Sequence, residues 1–300
     1  MIYLGIDHHK AWDQVAAIND GGEVVLECRV ASTRDAWEQL KIALPKGEPV
    51  RAVLEAGWNW GKLYDVLEEL GLNPKLANAL KVRIIAESRI KTDKRDALAL
   101  AQLLRMGWIP EVHVPGRETR DSKNLLRQRA WLIRQRTGIK NRIHSILDRN
   151  HLELPELSDV FGARGKAWLK ALKLRAPDDL LLGAHIDLFD AVQNKIRESE
   201  HWIDAALKEH PDLKILMGLP GVGKLLGALI ALEIDGIARF ETPEKLCAYA
   251  GLVPALHQSG LNSHHGGLIS GCNRHLRYAF IEAAWTAVRV SPYFSAGHRR

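Results

Sequence analysis

Residues 2–31 read IYLGIDHHKAWDQVAAINDGGEVVLECRVA. A short apolar run at 3–6 ends in Asp7, a second run occupies 15–18, and β-type residues return at 24–30. The DGG at 20–22 is a tight-turn signal between the second run and the third. Together these features predict a three-stranded antiparallel meander closed by a hairpin, with a carboxylate at the end of its first strand.

Outward from the meander, strand and helix signals alternate. Residues 33–44 carry apolar side chains at 36, 37, 40, 43 and 44, a helical period. Residues 50–54 are a buried-type strand ending in Glu55-Ala56-Gly57. An amphipathic helix at 60–70 stops at Gly71, 74–77 reads as a fifth strand, and a short helical stretch begins at 82–86. A strong helix at 93–106 ends at Gly107. The order β-β-β-α-β-α-β-α is that of an RNase H-like α/β fold.

From Arg117 the texture changes to long helices. Leu125, Leu132, Ile139 and Ile146 recur every seven residues, which suits one seam of a coiled coil or helical hairpin. A further amphipathic helix is expected at 187–207, and the last section, from about 211, is richer in glycine. The expected division is a catalytic α/β domain at 1–110, a basic helical linker at 111–210 and a helical C-terminal domain at 211–300.

Composition narrows the function classes. With 46% hydrophobic and 26% charged residues the chain is globular rather than disordered. No apolar run approaches the roughly 20 residues that span a bilayer. MIYLGIDHHK at the start lacks a secretory leader's pattern. Cys28, Cys247 and Cys272 are odd in number and scattered, so a reducing compartment, the cytoplasm, is expected. Cys272 and His275 have no second ligand pair at zinc spacing. The net charge of +6 is unevenly spread: residues 1–110 balance 15 Lys/Arg with 15 Asp/Glu, whereas 117–149 hold 10 basic residues against Glu118, Asp121 and Asp148. Arg127, Arg134, Arg136, Lys140, Arg142 and Arg149 stand apart from the apolar stripe, and no acidic run is present to neutralise them. This concentration reads as a nucleic-acid contact; a solvated helix face is the plainer alternative.

Four carboxylates carry the chemistry. Asp7 and Glu55 end neighbouring strands, and Asp93 and Asp96 lie three apart at the start of a helix, so they share a face. Singly, Asp93 reads equally as an N-cap, Asp96 as a first-turn acid, Asp7 as a turn residue, and His8 and His9 as surface histidines. In combination the four can converge on one point, where they repel one another unless a cation lies between them. Oxygen ligands of this kind suit Mg²⁺ or Mn²⁺. A pair of such ions about 4 Å apart serves phosphoryl transfer by activating a nucleophile and stabilising the leaving oxygen.

In the last section GLPGVGK at 218–224 satisfies the phosphate-binding P-loop pattern up to its final hydroxyl position, where Leu225 stands. A helix-hairpin-helix fits the segment better, with Gly221, Gly223 and Lys224 offered to a DNA phosphate; a plain helix connection is the alternative. YAGLVP at 249–254 leads to HQSG at 257–260, a polar Gly/Ser/His loop to 267 and a helix at 273–288. Arg274 and Arg277 on that helix are candidate phosphate contacts or simply solvated arginines.

GID at 5–7, LEAG at 54–57 and KTDKRDA at 91–97 resemble the DEDD motif of the insertion-sequence 110 family of transposases, and the AGLVP-then-SG arrangement resembles that family's C-terminal domain. The resemblance covers nearly the whole chain. It implies a RuvC-like catalytic domain with Asp7, Glu55, Asp93 and Asp96 as metal ligands for Mg²⁺ or Mn²⁺. It also implies Ser259 as a nucleophile forming a phosphoserine link to DNA, activated by the metal-bearing site. Donor and target DNA, a structured guide RNA and a homo-oligomer, dimer or tetramer, are the implied partners. The chain ends at Arg300, where family members carry further basic helical sequence, which puts complete strand exchange in question. Two rivals stay open: a RuvC-like nuclease that uses water, and a catalytically inactive nucleic-acid-binding protein.

Overall fold

In the computed structural model the chain divides into two compact units, Met1–Val114 and Pro115–Arg300. The structure describes residues 1–57, 59–85, 92–207, 210–259 and 262–298, with backbone alone for 257–259, 262–265 and 298.

The first unit opens with the expected meander, β1 (Ile2–His8), β2 (Trp12–Ile18) and β3 (Val24–Ala31). Gly22, at φ +85°, turns the chain between β2 and β3. There follow α1 (Arg34–Ala43), β4 (Val50–Glu55), α2 (Trp60–Glu69), β5 (Pro74–Ala77), α3 (Ala79–Ile85) and α4 (Asp93–Arg105). The five strands form one sheet in the order β3-β2-β1-β4-β5. Its β1, β2 and β3 are antiparallel, whereas β1, β4 and β5 run parallel.

Strand alternation sorts the side chains between two layers. Ile2, Leu4, Ile6, Leu54 and Leu76 pack with Trp37 and Leu40 of α1 and Leu63 and Leu67 of α2. On the opposite face Tyr3 and Val53 meet Leu100, Leu103 and Leu104 of α4. Gly5 lets α4 lie directly on β1: a Cβ there would stand 1.9 Å from the Ala97 carbonyl oxygen and 2.5 Å from the Ala101 nitrogen. Asp7 and Glu55 lie two residues beyond Gly5 and Val53, so alternation assigns both to the face that α4 covers.

The second unit begins with α5 (Arg117–Arg149), α6 (Ala163–Ala171) and α7 (Asp178–Ala206). Helices α5 and α7 form an antiparallel hairpin, with Arg149 beside Asp178 at one end and Arg129 beside Glu200 toward the other. The seam expected from the seven-residue spacing buries Leu132, Ile139 and Ile146, together with Leu126, Ile143 and Leu147. The helix expected at 187–207 begins nine residues earlier, at Asp178.

The rest comprises α8 (Leu213–Met217), α9 (Lys224–Ile234), a 3₁₀ turn (Ile237–Arg239), α10 (Pro243–Ala250), β6 (Pro254–Ser259), β7 (Asn262–Leu268), α11 (Arg274–Val290) and α12 (Pro292–His298). The polar segment read from sequence as a loop is therefore a two-stranded antiparallel hairpin. Leu126 of α5 and Ile203 of α7 share a core cluster with Leu213, Ala228 and Leu232, so the helical hairpin and the C-terminal helices build on common apolar packing. Among the described residues no helix is long and apolar enough to cross a membrane.

Candidate active site

The acid cluster of the first unit is assembled by backbone design. Thr92, not Asp93, caps α4: its side-chain oxygen accepts from the Arg95 backbone N–H at 3.4 Å. Asp93 and Asp96 occupy the first turn, where negative charge is favoured by the helix dipole. Because Gly5 pins α4 to β1, that turn comes over the carboxyl end of β1. Asp7, Asp93 and His9 then each offer one ligand atom, all within 4.8 Å of one another. His9 Nε2 is 3.3 Å from Asp7 Oδ2 and 3.7 Å from Asp93 Oδ1.

Burial pushes the Asp7 carboxyl above the usual carboxylate range; nearby Asp93 and Asp96 add to the rise, and His9 opposes it. A cation placed among these groups would relieve that repulsion. Asp96 thus belongs to the cluster electrostatically. Glu55 ends β4, with Leu54 in register with Ile6, so it lies at the neighbouring strand end beside Asp7. Lys91 of the KTDKRDA segment lies outside the described residues.

The two adjacent histidines have different fates. His8 Nδ1 stands 2.5 Å from an oxygen of Asp13. Asp13 is fully buried and also accepts from Trp37 Nε1 at 2.9 Å and Ser32 Oγ at 3.0 Å. His8 is therefore tied into the α1 side of the sheet. His9 turns to the acids, its ring 4.2 Å from that of Trp12, over which the Arg29 guanidinium sits at 4.1 Å. The sequence alone leaves both histidines open as ordinary surface residues. The spacing of Asp7 and His9, two apart at a strand end, was the signal that would have separated them.

In the second unit Ser259 is the last residue of β6 and pairs with Asn262 across the hairpin. Its side chain, like Gly260, lies outside the described residues. The hairpin is rooted by Arg277, whose guanidinium donates to the carbonyl oxygens of Ile269 at 2.5 Å and Ala250 at 3.4 Å. Arg277 thus faces inward, whereas Arg274 is exposed. Asn273 caps α11 by accepting from the Leu276 N–H at 3.0 Å, and it donates to Glu233 Oε2 at 2.9 Å. Gly221, at φ +85°, packs against the α11 backbone, and a Cβ would meet the Ala283 oxygen at 2.2 Å. Gly223 and Lys224 are exposed at the start of α9, with Lys224 Nζ 2.7 Å from Asp204.

The basic helix is partly neutralised from within. Buried Glu233 receives Arg127 at 3.3 Å and Lys123 at 3.4 Å. Burial alone would raise its pKa, but Lys123, the Asn273 hydrogen bond and Arg127 hold it below the usual range. Arg129 pairs with Glu200 at 2.6 Å and Arg149 with Asp178. Arg136 donates to Gln193 at 3.1 Å, and Lys140 lies 4.5 Å from the Phe161 ring centre. As expected, no acidic run faces these cations, but single acids on α7 and α9 do pair with Arg149 and Arg127, so part of the set has an internal salt-bridge role. Arg134 and Arg142 are exposed.

Comparison with known proteins fits this layout. A transposase family model, that of the IS110 DEDD domain, matches residues 4–152, and the model of the transposase IS116/IS110/IS902 family matches residues 213–299. The chain belongs to the IS110 family of transposases, recombination enzymes that act on the DNA of mobile elements. The y4qE protein of Sinorhizobium fredii is 28% identical over 292 residues, covering 95% of this chain and 71% of that protein. The transposase for insertion sequence element IS1111A of Coxiella burnetii is 26% identical over 291 residues, covering 95% and 78% respectively. The transposase for insertion sequence element IS1533 of Leptospira borgpetersenii is 27% identical over 243 residues, covering 78% and 70%.

Proposed function

We propose that the first unit is an RNase H-like, RuvC-like catalytic domain, and that the chain cleaves and exchanges DNA strands through a phosphoserine at Ser259. The carrying observation is the approach of Asp7 and Asp93 at the carboxyl end of β1, with Asp7 pushed toward protonation by burial and by like charge. The sheet order β3-β2-β1-β4-β5, with α4 laid across β1, supports the fold reading. Asp7, Glu55, Asp93 and Asp96 would hold Mg²⁺ or Mn²⁺; their oxygen donors fit these hard cations. When bound, a divalent ion supplies Lewis-acid stabilisation of charge on the phosphate and the leaving oxygen.

The chain's own residues do the rest. The Ser259 hydroxyl attacks a backbone phosphorus: the Oγ–P bond forms, a P–O bond to one deoxyribose breaks, and that oxygen leaves as a hydroxyl. A hydroxyl of the partner strand then attacks the phosphoserine, releasing Ser259 and joining the strands. Arg134, Arg136, Lys140 and Arg142 on α5, with Arg127, hold nucleic-acid phosphates in the linker part, residues 111–210. Gly221, Gly223, Lys224 and Arg274 do the same in the C-terminal part, residues 211–300; Arg277 joins them by shaping the hairpin. A structured guide RNA selects donor and target DNA, and the active form is a dimer or tetramer.

A suicide DNA substrate, nicked so that the leaving fragment diffuses away, tests the nucleophile. The parent chain is expected to give a protein–DNA adduct in Mg²⁺, and Ser259→Ala none. An adduct that persists in Ser259→Ala moves the nucleophile elsewhere. Cleavage with no adduct from the parent replaces serine by water.

A further inference from the structure

We propose that His9 is a nitrogen ligand of the metal centre in the first unit, so that this centre takes Mn²⁺ in preference to Mg²⁺. The inference rests on the reading of Asp7 and Asp93 as metal ligands and adds a residue outside the four acids.

Geometry comes first. Neighbouring ligands in an octahedral site with bonds of about 2.1 Å stand about 3 Å apart. His9 Nε2 lies 3.3 Å from Asp7 Oδ2 and 3.7 Å from Asp93 Oδ1, so the three atoms already sit near ligand spacing. The Nε2 atom itself is buried, within a side chain that is 39% exposed, and its nearest polar neighbour is Asp7 Oδ2, at the long end of hydrogen-bond reach. That nitrogen faces both acids at a spacing that one shared cation would fit.

The ring is also held for that role. It packs 4.2 Å from Trp12, which is covered in turn by the Arg29 guanidinium at 4.1 Å. Arg29 Nη2 reaches to 3.9 Å from Asp93 Oδ2, closing the group around the same carboxylate. The neighbouring His8 has no such freedom, being bonded to buried Asp13.

Donor chemistry then sets the preference. Mg²⁺ takes oxygen and keeps its waters, whereas imidazole nitrogen suits the later first-row metals best; Mn²⁺, at the weak end of that series, still accepts nitrogen more readily than Mg²⁺ does. A centre of carboxylates plus one imidazole gains more for Mn²⁺ than for Mg²⁺, and the gain disappears with the imidazole.

Pulsed electron paramagnetic resonance of Mn²⁺ added to the full chain reads this directly. The parent is expected to show ¹⁴N modulation from one imidazole, replaced by a ¹⁵N pattern when the protein is made with ¹⁵N-histidine. His9→Gln is expected to lose the modulation, to bind Mn²⁺ about tenfold or more weakly, the low end of what losing even an outer-shell partner costs, and to leave Mg²⁺ affinity little changed. Bound Mn²⁺ without nitrogen modulation in the parent, or modulation that survives His9→Gln, overturns the proposal and leaves the carboxylate site standing. If the parent binds Mn²⁺ no better than Asp93→Asn, the carboxylate reading itself fails and His9 goes with it.

Discussion

Gly5→Ala is the most informative single substitution in the first unit, because its expected sign reverses the usual one. Replacing glycine by alanine in an unstrained backbone ordinarily stabilises by about 0.4–1 kcal/mol, through a less flexible unfolded chain. At Gly5 the new Cβ would lie 1.9 Å from the Ala97 oxygen and 2.5 Å from the Ala101 nitrogen, both backbone atoms of α4. No rotamer change relieves such a clash. To reach ordinary contact at 3.4 Å, helix and strand must part by about 1.5 Å. Overpacking costs about 1–3 kcal/mol, and a backbone-to-backbone clash belongs at the top of that range. For a unit of this size a loss of about 3 kcal/mol lowers Tm by roughly 10 °C or more. The same shift carries Asp93 and Asp96 away from Asp7. A displacement of about 1 Å in a catalytic group costs on the order of a hundredfold in rate. Differential scanning calorimetry and a DNA-nicking assay on one preparation measure both effects. A Gly5→Ala protein with the parent's Tm and the parent's nicking rate would refute the view that α4 is seated on β1 to deliver the two helix acids.

Three further outcomes follow from the electrostatics. Glu233→Gln should destabilise the second unit by about 3 kcal/mol at pH 7, since it leaves Lys123 buried without its counter-charge. The Glu233 carboxyl is depressed, so its stabilisation is complete above the unfolded value of about 4.3 and fades as pH falls through its lower folded value. Urea titrations of parent and variant should therefore converge in acid; a gap that stays constant down to pH 3 would count against the ion network. Asp7 has the opposite sign: its carboxyl is raised in the fold, so the metal-free protein loses stability as pH climbs through that value. Asp7→Asn should raise the neutral-pH Tm of the metal-free protein while removing metal binding, and a lowered Tm would contradict the repulsion. Reversing Arg134 and Arg136 to Glu should weaken nucleic-acid binding across all sequences and flatten its salt dependence, by about 0.7–0.9 in log–log slope for each phosphate left without its cation. Unchanged binding at moderate salt would reduce α5 to a spacer.

How much was legible in the sequence depended on whether the signal was local. The meander was readable because residues 15–18 and 24–30 flank a DGG turn, and Gly71 and Gly107 marked helix ends. The four acids stand out as candidates because each falls at or near the end of an element, and the structure brings Asp7 and Asp93 within ligand reach of each other. His9 was missed because adjacent histidines look alike until strand alternation sends one to Asp13 and the other to Asp7. The β6–β7 hairpin was read as a loop because its Gly, Ser and His residues carry no apolar alternation. Helix α7 starts nine residues before the expected Asp187, because the buried Leu182 and Ile186 continue its seam backward. The partners of the basic helix were out of reach for a different reason. Glu233 and Glu200 lie 106 and 71 residues from the arginines they meet, and no sequence period records such pairs.

The proposal that the strand-end and helix-turn acids make a metal-dependent centre that cuts DNA has one most direct test. It is strand cleavage by Asp93→Asn, measured in Mg²⁺ and again in Mn²⁺ beside DNA binding by the same protein. The expected result is cleavage abolished in both metals, with binding and fold retained. Cleavage by Asp93→Asn at the parent's rate would contradict the claim.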